Sequence, residues 1–88
     1  MKVLYRKKFL KELSKIPPEI RKSIEKFVFE EIPKADTLYS IGNIEKMSGY
    51  SSFYKARYGS YRVGIRFENE TVVLERVLHR KEIYKFFP

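Results

Sequence analysis

The spacing of apolar residues near the N-terminus predicts a short strand followed by a helix. Residues 3–5 form a small apolar run typical of a strand. From residue 7 the apolar side chains recur every three or four positions, as in an amphipathic helix; they are Phe9, Leu10, Leu13 and Ile16. Pro17 and Pro18 end this helix, because proline disfavours helical geometry in the preceding residue.

A second helix is predicted to begin at the proline pair. Pro18 suits a first helical turn, and Glu19 lies near the positive end of the helix dipole. One face of this helix carries a second apolar stripe, which consists of Ile20, Ile24, Phe27 and Val28. Pro33 is expected to stop the helix. The two stripes predict a pair of helices that share one core. Residues 34–52 show little periodicity, with turns expected at 35–37 and 42–43 and a short strand at 44–47.

From Phe53 onward the period changes from about 3.6 to 2, which indicates strands. Gly59 and Ser60 fit a two-residue hairpin loop, and a polar turn at residues 68–70 leads into a β-branched run at 72–78. We therefore expect a single α+β domain over residues 1–88, in the order β-α-α-β-β-β(-α). Its antiparallel sheet would carry two helices on one face.

The loop at Gly59 and Ser60 sets the hairpin register and sorts its side chains between two faces. The apolar face would contain Tyr54, Ala56, Tyr58, Tyr61, Val63 and Ile65. The opposite face would contain Lys55, Arg57, Arg62 and Arg66. Like charges directly opposite each other destabilise a ladder by up to about 1 kcal/mol, and residues 46–67 include no acidic side chain. This arrangement favours a binding role for the basic face.

Composition narrows the range of functions. The chain has 88 residues, a net charge of +8, no cysteine and one histidine. Disulfides, thiolate zinc sites and thiol nucleophiles are therefore excluded, and one histidine without a carboxylate cluster predicts no metal centre and no cofactor. No apolar run approaches the roughly 18 residues of a membrane span. We expect a soluble protein of a reducing cytoplasm with an anionic partner, nucleic acid first.

Five of the seven arginines lie in the predicted strands or just beyond the end of the last one: Arg57, Arg62, Arg66, Arg76 and Arg80. The guanidinium fork matches phosphate geometry, which favours a phosphate-binding surface. Tyr84 follows Arg80 by four residues and shares its side if the C-terminal tail is helical. The facing of Glu75, Arg76 and His79 stays open, because two- and three-residue turns near residue 69 give opposite orientations.

These segments resemble the RelE/ParE superfamily, the toxins of type II toxin–antitoxin modules. The resemblance covers nearly the whole chain and is most specific after the glycine turn, at Tyr61 and Arg62, and in the His79–Tyr84 ending. It also includes residues 9–13, 47–50 and 54–63. The family commonly has glycine where Leu78 stands. The resemblance implies a microbial RNase-like fold and, in the RelE branch, cleavage of mRNA in the ribosomal A site and inhibition of translation.

The resemblance also implies roles for particular residues. The catalytic set would be Lys55, Arg57, Arg62, Arg80 and Tyr84. Further RNA contacts would come from Lys46, Arg66, Arg76, His79 and Lys81. In the implied metal-independent reaction, a 2′-hydroxyl attacks the adjacent phosphate to give a 2′,3′-cyclic phosphate and a 5′-hydroxyl. Arg62 would stabilise the phosphoryl charge. Arg80 would stabilise or protonate the leaving oxygen, and Tyr84 would stack on or orient a base.

The identity of the general base stays open at this point. Lys55 or Arg57 would favour the alkoxide, or Lys55 would act as the base. The implied partners are a RelB-like antitoxin protein and the ribosome, through mRNA and rRNA. Two other functions remain: a ParE-like inhibitor of DNA gyrase without nuclease activity, and a degenerate member that only binds RNA or its antitoxin.

Overall fold

The computed structural model describes all 88 residues, Met1–Pro88. The first half contains β1 (Lys2–Tyr5), α1 (Lys7–Leu13), α2 (Pro18–Lys26), a π-helical turn (Phe27–Glu31), α3 (Ile32–Lys34) and a 3-10 turn (Leu38–Ser40). The second half contains β2 (Ile44–Lys46), β3 (Phe53–Tyr58), β4 (Tyr61–Glu68), β5 (Thr71–His79) and α4 (Arg80–Phe86). This order confirms the predicted α+β class, including the helical tail.

The five strands form one sheet in the order β1-β5-β4-β3-β2. The strands from β2 to β5 are antiparallel, as predicted, whereas β1 pairs with β5 in parallel. A parallel pair needs a long crossover connection, and the helices that follow β1 provide the first part of it. The predicted antiparallel arrangement is therefore confirmed for β2–β5, and β1 adds a parallel strand at one edge, which the sequence pattern did not indicate.

The proline pair follows the end of the first helix as predicted, but the expectation that Pro33 stops the second helix is wrong. α1 ends at Leu13, and tight turns then close from Lys15 to Glu12 and from Ile16 to Leu13 before the proline pair. Pro33 does not stop the helical path, which continues to Lys34. A helical proline removes a hydrogen bond and crowds the carbonyl four residues earlier. The residue four positions before Pro33, Phe29, lies in the π-helical turn Phe27–Glu31, and the wider winding of such a turn gives the proline ring more room.

The hairpin has the predicted register. Tyr58 pairs with Tyr61 and Arg57 with Arg62, and Gly59 has a φ of +59° in the turn, where glycine is favoured. The second turn also has two residues, Asn69 and Glu70, both with positive φ, as type I′ hairpin turns require.

A β-bulge in β5 decides the orientations that the sequence left open. Arg76 pairs with Gly64, but the next pair is Leu74 with Ile65, so Glu75 is an extra residue. The bulge reverses the alternation of β5. Leu74 and Val77 therefore both lie in the main core, while Arg76 lies opposite Gly64 on the other face.

The helices cover one face of the sheet, which we call the helix face. Fifteen buried side chains form its core. They are Phe9, Leu13, Ile16, Ile24, Phe27, Val28, Ile32, Leu38, Tyr54, Ala56, Val63, Ile65, Val72, Leu74 and Val77. The opposite face, here called the open face, has a smaller buried cluster of three residues, Met47, Ile83 and Phe87. The open face is therefore only partly covered, by α4.

Candidate active site

The open face carries a cavity of about 480 Å³ between strands β2, β3 and β4 and helix α4. Its lining consists of Gly42, Asn43, Ile44, Glu45, Lys55, Arg57, Arg62 and Tyr84. Four of the five residues expected to be catalytic are thus brought to one place. Three of them are cations on β3 and β4, so the hairpin register determines how they are placed next to one another.

Arg62 is the most buried cation of this cavity, with 8% of its surface exposed. Its Nη1 donates to the backbone oxygens of Gly59 and Tyr61, each at 2.9 Å. Arg57 lies directly across the ladder from Arg62. The two backbone bonds hold one nitrogen of the Arg62 guanidinium in place, and its other N–H groups have no hydrogen-bond partner within the protein. Such a group is fixed in position before an anion binds.

Lys55 and Tyr84 form the other side of the cavity. The Lys55 Nζ donates to the Tyr84 hydroxyl at 2.9 Å and lies 5.1 Å from the centroid of the Tyr84 ring. Because the hydroxyl accepts this bond, its own proton is free to be donated elsewhere. The pair therefore links an ammonium to a proton donor that faces the cavity.

Helix α4 reaches its place because Gly64 has no side chain. A Cβ at this position would lie 2.8 Å from the Phe87 ring, which is closer than carbon atoms approach each other in proteins. The ring rests on the bare backbone of β4, and Ile83 is buried in the same cluster. The contact between Gly64 and Phe87 thus sets the position of α4, and with it that of Tyr84.

Two polar residues of the cavity were not identified from the sequence. Glu45 lies directly opposite Lys55 on β2, and Asn43 donates from Nδ2 to the Arg57 carbonyl at 3.1 Å. The one signal for them was the short strand expected at residues 44–47. Its register could not be read, because the loop at residues 47–52 gives no turn length from which to count.

The remaining expected residues are placed around the last strand. Arg80 is exposed at the start of α4, where its N–H donates to the Ser60 carbonyl at 2.8 Å, and it does not line the cavity. Lys81 is also exposed. His79 lies opposite Tyr61 on the helix-face side of the strand. Its Nδ1 accepts from the Lys81 N–H at 3.2 Å, so it caps α4.

Lys46, Arg66 and Arg76 are not brought into the cavity. Lys46 pairs with Tyr54, which places its side chain on the helix-face side. The Arg66 Nε lies 3.2 Å from a Glu75 oxygen, without the geometry of a hydrogen bond. Arg76 forms an ion pair with Glu12 of α1. Arg57 and Arg62 therefore have no acidic ion-pair partner, whereas Arg66 and Arg76, which were expected to contact RNA, each lie against a carboxylate.

The side chains whose pKa values are shifted lie outside the cavity. Burial raises the pKa of Tyr58, and a hydrogen bond with Tyr39 raises that of Tyr54. Burial likewise raises the pKa of Tyr5, whose hydroxyl donates to the Val28 carbonyl at 2.7 Å. The Glu12 carboxylate raises the pKa of Arg76. These four groups lie outside the cavity, in the core or in a structural ion pair.

Comparison with known proteins gives consistent matches along the whole chain. Residues 3–84 match the family described as the ParE toxin of the type II toxin–antitoxin system parDE. Toxin RelE3 of Methanocaldococcus jannaschii is 44% identical and covers 100% of both chains. Toxin RelG of Mycobacterium tuberculosis is 31% identical over 85% of each chain.

A solved structure is also similar. A chain in the RelB-RelE antitoxin-toxin complex from Methanococcus jannaschii superposes with a TM-score of 0.81 and 41% identity. The match covers 97% of this chain and 99% of that one. In this structure no helix has the length and hydrophobicity needed to cross a lipid bilayer.

Proposed function

We propose that this chain, which belongs to the RelE branch of the RelE/ParE superfamily and is a toxin of a type II toxin–antitoxin system, cleaves mRNA in the ribosomal A site. The observation that carries the proposal is the convergence of Lys55, Arg57 and Arg62 on one cavity. None of the three ion pairs in the structure involves these cations. They are therefore free to bind a phosphate.

The proposed reaction is the attack of a ribose 2′-hydroxyl on its own 3′-phosphate. Negative charge grows on the phosphoryl oxygens in the transition state, and preorganised donors stabilise it most when they need no rearrangement. Arg62 fits this requirement, because its backbone bonds fix it before substrate binds. Arg57, which is exposed and directly opposite, would bind the same phosphate or its neighbour.

The Lys55–Tyr84 pair is placed to protonate the leaving 5′-oxygen. The 5′-oxygen needs a proton as its bond to phosphorus breaks, and the Tyr84 hydroxyl has one available because it accepts from Lys55. The ammonium can then resupply the hydroxyl. Since Arg80 does not line the cavity, we assign it to the RNA backbone beside the hairpin turn, with the neighbouring Lys81.

A requirement for the ribosome agrees with the shape of this site. The cavity is lined largely by polar groups and has no deep apolar pocket for a base, so the chain alone has little to hold a nucleotide in the attacking geometry. If the ribosome holds the mRNA in the attacking geometry, this positioning can lower the activation free energy by several kcal/mol. If the cations of the open face contact rRNA, ribosome affinity should fall steeply as salt concentration rises.

A second candidate function follows from the family match itself, which is to a ParE toxin. A ParE-like chain would inhibit DNA gyrase without cutting RNA. The cavity favours the nuclease, because gyrase inhibition by surface contact does not require an anchored arginine beside a lysine–tyrosine pair.

The test is primer extension on mRNA bound to translating ribosomes. The wild-type chain should cut in the A site, and Arg62→Gln should lower the cleavage rate by about 100-fold or more. Lys22→Gln, on the exposed side of α2, serves as the matched control and should cut normally. Uncut mRNA together with inhibited supercoiling by gyrase would support the second function instead.

We also propose a RelB-like antitoxin as the cellular partner. The similar structure from Methanococcus jannaschii is a RelB-RelE complex, and the net charge of +8 suits an acidic, partly helical segment that folds on binding. Co-expression with a RelB-like antitoxin should yield a hetero-oligomer and suppress cleavage.

A further inference from the structure

We propose that Glu45 is the general base of the cleavage reaction and accepts the proton of the attacking 2′-hydroxyl. This inference rests on the function proposed above and adds a residue to its site. Neither the sequence pattern nor the resemblance suggested this residue.

The position of Glu45 is determined by strand pairing. It lies directly opposite Lys55 on β2, and directly paired residues of an antiparallel ladder project from the same face with Cβ atoms about 5 Å apart. The carboxylate therefore shares the open face with the cations, and Glu45 lines the cavity together with Arg57, Arg62 and Tyr84.

Among the side chains that line the cavity, only Glu45 can accept a proton without first losing one. Lysine, arginine and tyrosine side chains carry their protons at neutral pH, whereas a carboxyl group is ionised. The amide of Asn43 is not basic. A protonated lysine would have to lose its proton before it could accept another, but the Glu45 carboxylate can accept one directly.

None of the cations of the cavity forms an ion pair with the Glu45 carboxylate. Lys55 donates to the Tyr84 hydroxyl, and Arg62 Nη1 is bound to two backbone carbonyls. No ion pair of the structure includes Glu45, and its side chain is exposed to solvent. The charged and titratable groups that face it are Lys55 and Arg57 of β3, Arg62 of β4 and Tyr84 of α4. Its lone pairs therefore remain available to substrate.

The step balances without any further reactant. The O2′–H bond breaks and its proton moves to Glu45, while O2′ forms a bond to phosphorus. The bond from phosphorus to O5′ breaks, and O5′ takes the Tyr84 hydroxyl proton, which Lys55 replaces. Protonated Glu45 and neutral Lys55 then exchange one proton through water, which restores the site.

The experiment is a single-turnover cleavage assay on programmed ribosomes with Glu45→Gln, which keeps the size of the side chain. We expect the cleavage rate to fall by about 100-fold or more, while ribosome affinity stays within about threefold of wild type. The increase of the rate with pH on the acidic side of the wild-type profile should disappear. Glu30→Gln, an exposed substitution on the helix side, is the matched control.

A second variant separates catalysis from folding. Glu45→Ala should recover part of its lost rate when acetate or formate is added, because a small carboxylate can replace the missing base. Recovery would support the proposal. Cleavage by Glu45→Gln at the wild-type rate or faster, while Arg62→Gln is inactive, would overturn the role of Glu45 and leave the nuclease function standing.

Failure of the proposed function looks different. Wild-type chain that leaves mRNA uncut, or that cuts mRNA with a 2′-deoxy sugar at the scissile position, would overturn both proposals together. Cleavage that requires the 2′-hydroxyl supports the reaction itself, and the two Glu45 variants then decide the base.

Discussion

The two faces of the sheet differ in what they carry, although the same strands form both. The helix face buries a core of 15 side chains, none of them charged, whereas the open face has a buried cluster of three and a cavity lined by three cations. Strand alternation produces this division, because Ala56 and Val63 enter the core while their neighbours Arg57 and Arg62 line the cavity. Stability is thus concentrated on one side and the proposed chemistry on the other.

The largest expected effect comes from the core. Phe27→Ala should lower the free energy of unfolding by about 3–5 kcal/mol, because Phe27 is 0% exposed. Phe86 of the open face is 53% exposed, so Phe86→Ala should cost under about 1 kcal/mol. Urea denaturation of both variants measures the difference. Equal losses would mean that the open face contributes as much to stability as the helix face.

A second effect tests the one strong contact that joins the two faces. Glu12 of α1 accepts from the Arg76 guanidinium and from the Val77 N–H at 3.1 Å, where β5 has no strand partner beyond the end of β1. Glu12→Gln should destabilise the protein by about 2 kcal/mol, because it leaves a mostly buried arginine without its counter-charge. Glu30→Gln should cost almost nothing in the same urea titration, and equal costs would refute the assignment.

A smaller effect concerns how α4 is held. Gly64→Ala places a methyl group against the Phe87 ring, so we expect a loss of about 1–2 kcal/mol. α4 should loosen and move Tyr84 away from Lys55. Hydrogen exchange should then show weaker protection of the Phe87 amide, which bonds to the Ile83 carbonyl.

Gly42→Ala is the control for this change, because a Cβ at Gly42 would meet nothing within 4 Å. Its effect on α4 protection should be negligible. Unchanged protection in Gly64→Ala would show that α4 does not depend on this contact.

The smallest effect is a pH dependence of the helix face. The pKa values of Tyr5, Tyr54 and Tyr58 are raised from 10.0 in the folded state. The unfolded chain therefore loses these protons first, so the contribution of the three tyrosines to stability, constant below about pH 10, should fall as the pH rises further. Urea unfolding from about pH 8 to about pH 11 measures this fall. Tyr54→Phe should reduce the slope, and a stability that increases with alkalinity would contradict the assignment.

The hairpin shows how much of the molecule could be predicted from its sequence. Gly59 and Ser60 leave one natural loop length, and that length fixes the pairing of Arg57 with Arg62 and the face of Lys55. The helices were predictable for a similar reason, since their apolar stripes have one period and prolines mark their ends.

Features that depend on distant segments could not be predicted. The bulge at Glu75 changes the facing of β5, and nothing in its own neighbourhood indicates an extra residue. The Glu12 partner of Arg76 lies 64 residues away, and Glu45 meets Lys55 across a loop of irregular length. Local pattern therefore predicted the cations of the site but neither Glu45 beside them nor the Glu12 partner of Arg76.

The most direct test of the division between the faces is Arg57→Gln, with stability and cleavage measured on the same preparation. Arg57 is exposed and opposite a like charge, so its removal should leave the free energy of unfolding unchanged or raise it by a few tenths of a kcal/mol. The rate of mRNA cleavage on ribosomes should fall at least about tenfold. A variant that loses stability and keeps its cleavage rate would contradict the account.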